Sequence, residues 1–238
     1  MIMGERCTRN CRFCAVAHGP AGPPDRQEPL RVAGAAREME LEHVVVTSVT
    51  RDDLPDKGAG CFARTIREIR RQLPQASIEV LVPDFEGSET CLHKVLAAGP
   101  DVFNHNLETV SGLYEQVRPE ADYRRSLDLL AAAAAARPDI PVKSGIMLGL
   151  GEDREALART LEDLLAAGCS MLTLGQYLQP TSRHLPVVHY IRPEMFEHWR
   201  QYARHAGFAA VAAGPLVRSS YRAREMFLDW QQKNYKDQ

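Results

Sequence analysis

Cys7, Cys11 and Cys14 fall on one short segment, Cys7-Thr-Arg-Asn-Cys11-Arg-Phe-Cys14, as a C-x-x-x-C-x-x-C element. Thiolates are the preferred ligands of iron–sulfur clusters, and a four-iron cluster normally takes four of them. Three thiolates on one loop hold three irons and leave the fourth open, as a catalytic metal keeps a position free for its substrate. The spacing also admits zinc. Cys11, Cys14 and His18 have tolerable zinc separations, and Cys7 could complete the set in a non-catalytic module that binds a partner. Cys61, Cys91 and Cys169 are scattered, and Cys169 reads as a small buried apolar residue ahead of a strand.

The elements that must position this loop alternate between strand-like and helix-like. The β-branched run from His43 to Ser48 reads as a buried parallel strand. Further strands are expected over 77–82, 102–107, 142–148, 171–176 and, last and short, 209–213. Helices are expected over 60–73, 88–98, 123–136, 154–167 and 193–206, with Pro74 ending the first and Pro193 opening the last. The six consecutive alanines from Ala131 to Ala136 are a strong helix former. A first strand over Met1 to Glu5 would feed the cysteine loop, and the stretch from Pro20 to Pro29 reads as a Pro-rich loop. Such alternation argues for a parallel sheet with right-handed crossovers. The count of about six units is too small for a closed eight-fold barrel, so an open partial (β/α)6 barrel of the TIM type is expected. Its chemistry would sit at the C-terminal ends of the strands. Those ends are polar here: Thr47-Ser48, Asn104-His105-Asn106 and Gly175-Gln176.

Length and composition narrow the class. The chain has 238 residues, 45% of them hydrophobic, which suffices for a core without disulfides. One domain over 1–238 is expected, with 208–238 as a C-terminal segment. A formal net charge of -2 gives no support for nucleic-acid binding. No stretch reaches the eighteen or so apolar residues of a membrane span. The first residues lack the charged start and apolar run of a signal peptide. A cytoplasmic protein with no nucleic-acid or membrane partner is expected.

With Phe13 just before the third cysteine, the loop resembles the radical S-adenosylmethionine superfamily. Further segments resemble lipoyl synthases: Val44 to Leu54, Val82-Pro-Asp-Phe85, Asn104-His-Asn-Leu-Glu-Thr109, Val117-Arg-Pro119, Lys143-Ser-Gly145 and Gly149-Leu-Gly-Glu152. Gly175-Gln-Tyr-Leu-Gln-Pro180, Arg183-His-Leu-Pro186 and Gly214-Pro-Leu-Val-Arg-Ser-Ser-Tyr221 follow in family order. Biotin synthase, a sulfur-inserting cousin, does not carry this set.

The resemblance implies a 4Fe–4S cluster on Cys7, Cys11 and Cys14 whose open iron binds S-adenosylmethionine. One electron then yields a 5′-deoxyadenosyl radical. Phe13, Thr47, Ser48, Asn106, Glu108 and Lys143 would contact the cosubstrate: Asn106 and Glu108 at its ribose, Thr47 and Ser48 near its methionyl group, Lys143 at its carboxylate. Ser220 would ligate a second, auxiliary 4Fe–4S cluster through oxygen, with Arg218 orienting that site. The implied activity is insertion of two sulfur atoms, at C6 and C8 of a protein-bound octanoyl-lysine. The carriers would be lipoyl domains of 2-oxoacid dehydrogenases or the glycine-cleavage H protein, with ferredoxin or flavodoxin as electron donor. In the family three further cysteines of the auxiliary cluster lie upstream of Cys7, and this chain begins six residues before it. A core lacking that segment is therefore expected, one that cleaves S-adenosylmethionine and makes little lipoyl product. A radical enzyme acting on another substrate is the alternative.

Overall fold

The computed structural model describes residues 1–234; the last four positions of the expected segment 208–238 lie outside the described residues. In chain order the elements are β1 (Arg6–Cys7), β2 (Ala17–His18), α1 (Glu28–Glu38), β3 (His43–Thr47), α2 (Ala59–Gln72), β4 (Ser77–Leu81), α3 (Glu89–Leu96) and β5 (Val102–Asn104). They continue with α4 (Tyr114–Val117), α5 (Tyr123–Ala136), β6 (Val142–Leu148), α6 (Arg154–Ala166), β7 (Met171–Gln176), α7 (Pro193–Ala206), β8 (Ala210–Gly214) and α8 (Ala223–Asn234). Strands β3 to β8 form one parallel sheet in chain order. That is the sheet expected of an open (β/α)6 barrel.

Local chemistry sets the helix starts. Ser88, Asp122 and Asp153 accept hydrogen bonds from the backbone N–H groups of Cys91, Arg125 and Ala156, capping α3, α5 and α6. Pro193 occupies the first turn of α7, where its missing N–H is not needed.

Register sorts the two faces of the sheet. Glu79, Val102, Asn104, Lys143, Met171 and Ala210 share one face through the pairs Glu79↔Val102, Asn104↔Lys143, Lys143↔Met171 and Met171↔Ala210. The alternate residues, Ile78, Val80, Phe103, Val142 and Leu172, join the outer core with Phe62, Ile66, Leu130, Leu161 and Phe196 from the helices. On the first face, Met226 of α8 packs on Val102, Met171 and Ala210, with Phe227 and Trp230 beside it. Helix α8 touches both edge strands, β3 and β8. The sheet therefore curls around one helix at its N-terminal end, and the opposite end stays free for loops.

Three expectations need correction. No strand runs over residues 1–5; a single parallel bridge joins Ile2 to Ser48, because Met3 (φ 71°) and Gly4 (φ 90°) turn the chain out of the extended region. Strand β5 stops at Asn104, and 105–107 leave the sheet before Glu108 (φ 68°) bridges to Ile146. The Pro-rich loop gives way at Glu28 to α1, whose Pro29 stands in the first turn. Among the described residues no helix is long and apolar enough to cross a membrane.

Candidate active site

One cavity opens at the C-terminal ends of β3, β4 and β5. Its lining includes Cys7, Cys11, Phe13 and Cys14 from the cysteine loop and Thr47 and Ser48 from the end of β3. His105, Asn106 and Glu108 enter from the segment after β5, and Arg9 and Arg118 complete it. Five of the six residues expected at the cosubstrate, Phe13, Thr47, Ser48, Asn106 and Glu108, thus line one cavity with the three thiols, although they are spread over about a hundred positions of sequence.

The cysteine loop is held from three sides. The Thr50 N–H donates to Cys7 Sγ at 3.2 Å. Arg9 grips Asp52 (Nε to Oδ2, 2.7 Å) and Asp84 (Nη2 to Oδ1, 2.5 Å), and Arg125 takes the other oxygen of Asp84 at 2.8 Å. On the far side the Leu185 N–H donates to the Arg12 carbonyl at 3.1 Å, and His184 Nε2 donates to the Cys14 carbonyl at 3.0 Å.

A match to the model of the radical SAM superfamily covers residues 1–164. The chain is 55% identical to a lipoyl synthase from Caldanaerobacter subterraneus over 94% of its own length and 78% of that protein. It is 54% identical to one from Actinobacillus succinogenes over 94% of its length and 70% of that protein. The chain belongs to the lipoyl synthase family. Among solved structures, a maturase of the FeFe hydrogenase superposes with a TM-score of 0.69 at 18% identity, over 95% of this chain and 53% of that one. Methylornithine synthase does so with a TM-score of 0.63 at 15% identity, over 84% and 60%. At such identities the likeness speaks for the fold alone.

As in other radical SAM enzymes, membership of the lipoyl synthase family implies a 4Fe–4S cluster and S-adenosylmethionine. The donor set fits them. All three thiols are free and half-buried at the cavity. Burial pushes the Cys11 thiol up to about 11, against the pull of Arg118, and burial also raises Cys14. Bound iron would supply the positive charge that makes these groups thiolates. Among the described residues no three Cys, His, Asp or Glu converge on a single-ion site. A cubane does not ask for that, since each thiolate takes a different corner iron. Three buried polar atoms of cavity-lining residues have no partner, Ser48 Oγ, His105 Nε2 and Arg118 Nε. His105 Nδ1 donates to the Val82 carbonyl at 2.8 Å, which leaves Nε2 as a lone-pair acceptor. Burial holds this histidine down at about 4, so it stays neutral at ordinary pH.

Not every expected residue reaches the cavity. Lys143 is fully buried on β6, where its Nζ donates to both oxygens of Glu79 (2.8 and 3.0 Å) and to the Ser219 carbonyl (2.7 Å). The positive charge at the cavity belongs to Arg9 and Arg118 instead. Arg118 Nη1 donates to the carbonyls of Asn106 (2.9 Å) and Leu107 (3.1 Å), so it also shapes the strand-end turn. Arg218 and Ser220 are exposed on the loop after β8. Their neighbour Ser219 is held twice: Asn106 Nδ2 donates to its Oγ at 2.7 Å, and Lys143 takes its carbonyl. Gly175 lets this loop pass, because a Cβ there would lie 2.2 Å from the Val217 carbonyl oxygen. Cys61, Cys91 and Cys169 are buried on α2, on α3 and ahead of β7. Among the described residues these three cysteines do not converge on one metal site.

The anchoring of Arg9 carries a pH signature. Burial opposes ionisation of Asp84, but Arg9 outweighs it and holds the carboxyl well below the usual range. A depressed carboxyl adds stability above its unfolded value, about 4, that is lost as pH falls through its folded value. Asp84→Ala is expected to destabilise the chain by about 3 kcal/mol near pH 7, removing the buried partner shared by Arg9 and Arg125 and leaving Arg9 with Asp52 alone. Urea unfolding from pH 7 downward should show the gap to the parent constant to about pH 4 and narrowing below it. A gap that widens in acid would contradict this account.

Proposed function

We propose that the chain acts as a lipoyl synthase on an octanoyl group amide-linked to a carrier-protein lysine, inserting sulfur at C6 and C8. The observation that carries this reading is the single cavity shared by the three thiols, Thr47, Ser48, Asn106 and Glu108 at the strand ends. Cys7, Cys11 and Cys14 would hold the cluster. When bound, the cluster supplies the electron that splits S-adenosylmethionine and so makes a radical able to attack an unactivated C–H bond.

The chain's own residues bind and orient. Asn106 and Glu108 offer donors and acceptors matched to ribose hydroxyls. Burial raises the Glu108 carboxyl, against the pull of Arg118 and the hydrogen bond it accepts from Asn106. Thr47 and the unpartnered Ser48 hydroxyl would serve the methionyl end, and Phe13, packed against the apolar group of Val117, Leu150 and Tyr177, would help keep water from the cluster. Arg118 supplies the positive charge for the cosubstrate carboxylate, the role first expected of Lys143. Ser220 is offered as an oxygen ligand of an auxiliary cluster, with Arg218 beside it. Lipoyl domains and the glycine-cleavage H protein would be the carriers, and ferredoxin or flavodoxin the electron donor.

The test is isotopic. The reconstituted, reduced chain is given S-adenosylmethionine and octanoyl-lysyl peptides deuterated at C6 or at C8, and 5′-deoxyadenosine is analysed by mass. Deuterium from C6, in a reaction stimulated by the peptide, is expected. No stimulation, or deuterium taken only from other carbons, would sink the reading.

A further inference from the structure

Charge and apolar surface are unevenly distributed around the mouth of this sheet. The chain as a whole carries a formal net charge of -2. Yet residues 177–193, after β7, contain Arg183, Arg192, His184 and His189 and no Asp or Glu, and residues 215–222, after β8, contain Arg218 and Arg222 and again no Asp or Glu. Arg12, on the adjoining cysteine loop, is exposed, as are Arg183 and Arg192. Elsewhere Arg9, Arg51, Arg70, Arg125, Arg137 and Arg200 pair with carboxylates, and Arg222 at the end of the loop after β8 pairs with Glu225. Among the described residues no ion pair engages Arg12, Arg183 or Arg192.

The same two loops hold large apolar side chains in water. Leu178 is 44% exposed, Val188 60%, Tyr190 70% and Leu216 74%. Scattered single exposures are ordinary, but a group of them beside uncompensated cations on adjoining loops marks an interaction surface. The loops lie side by side because β7 and β8 are paired in the sheet.

This surface is built, not slack. Gln176 donates to the His189 carbonyl at 3.3 Å and accepts from the Ile191 N–H at 2.9 Å. Tyr177 Oη donates to the Leu185 carbonyl at 2.7 Å, and Leu185 in turn is bonded to the cysteine loop at Arg12. A partner seated here would meet a fixed shape that borders the thiol cavity, so little ordering cost would be spent on binding.

We infer that the loops after β7 and β8 dock an acidic protein domain, the one that presents the octanoyl-lysine. This inference rests on the proposed function for the identity of the partner. The argument for acidity is charge complementarity: Arg12, Arg183 and Arg192 make no ion pair within the chain, the Glu152 and Asp153 carboxylates beside Arg192 being bound to backbone N–H groups, so all three can take carboxylates from a partner. Leu178, Val188, Tyr190 and Leu216 would form the apolar centre of the contact, with the arginines at its rim, where charges set association rate and partner choice.

Binding of the reconstituted chain to an intact acidic octanoylated lipoyl domain can be measured by calorimetry at two salt concentrations. Arg183→Glu/Arg192→Glu is expected to raise Kd by about tenfold or more at low salt, with less effect at high salt. Arg183→Lys/Arg192→Lys should stay near the parent. A lipoyl domain with two surface carboxylates changed to lysine should recover binding to the glutamate variant. Cleavage of S-adenosylmethionine stimulated by a short octanoyl-lysyl peptide should be unchanged in both variants. If the glutamate variant binds the domain as the parent does, the inference is overturned. It is also overturned if the parent binds anionic phospholipid vesicles more tightly than the domain. Failure of the proposed function looks different: the peptide would not stimulate cleavage in any variant.

Discussion

Replacing Cys7, Cys11 and Cys14 together by alanine is expected to remove iron and activity while leaving the fold intact. The parent, reconstituted anaerobically, should hold about four irons and four sulfides, and the triple variant about none. Cleavage of S-adenosylmethionine should fall below detection. The fold should survive because the core lies elsewhere, in Phe62, Ile66, Ile78, Val80, Phe103, Leu130 and their neighbours, whereas the three thiols are only half-buried. Losing the Thr50–Cys7 contact costs one weak hydrogen bond to sulfur. The loop keeps its stronger anchors, the Arg9–Asp84 pair, the Leu185 N–H bond to the Arg12 carbonyl and the His184 Nε2 bond to the Cys14 carbonyl. Far-UV dichroism and the urea midpoint of the metal-free proteins should therefore agree closely. About eight irons in the parent and four in the variant would mean that a second cluster forms from other ligands. Zinc without iron in anaerobically purified parent would return the loop to the structural site that its spacing alone also allowed.

That loop was legible because its chemistry is local: three thiols and an aromatic within eight residues. The strands were legible for a similar reason. Their β-branched runs and the proline and glycine stops beside them are properties of short windows. Helix α1 was not read, although Pro29 and an alanine-rich pattern mark it, because the prolines before it dominated the window. Helix α8 has a weak pattern because it packs by Met226, Phe227 and Trp230 against a curved surface assembled from β5, β7 and β8. Polar strand ends pointed to Thr47, Ser48 and Asn106. They could not point to Arg9 or Arg118, whose roles depend on partners far along the chain, such as Asp84, 75 residues from Arg9. Lys143 was seen as a cation on a strand. Its partner Glu79 lies 64 residues away, and nothing in either window announces the pair.

That pair yields the second large effect. Glu79 and Lys143 are both 0% exposed, and burial alone would push the Glu79 carboxyl up; Lys143, His43 and Asn104 reverse this and hold it down. Glu79→Ala would leave an ammonium buried against the Ser219 carbonyl and little else. The expected cost is about 3–5 kcal/mol, enough to lower Tm by roughly 10 °C in a chain of this size. Lys143→Met should cost somewhat less, because Glu79 can take up a proton and keep its bond from Asn104. Glu79→Leu/Lys143→Met should be less destabilised than the two single changes summed, since neither charge is then stranded. The cost should also appear in the loop after β8. Without Lys143 the Ser219 carbonyl loses its donor and only the Asn106–Ser219 contact remains, so amide exchange over 215–222 should quicken. The alternative role for Lys143, neutralising the cosubstrate carboxylate, makes the opposite forecast. Lys143→Met would then weaken S-adenosylmethionine binding with little loss of stability. The buried pair forecasts stability and loop exchange as the quantities that move, and strict additivity in the double variant would sink it.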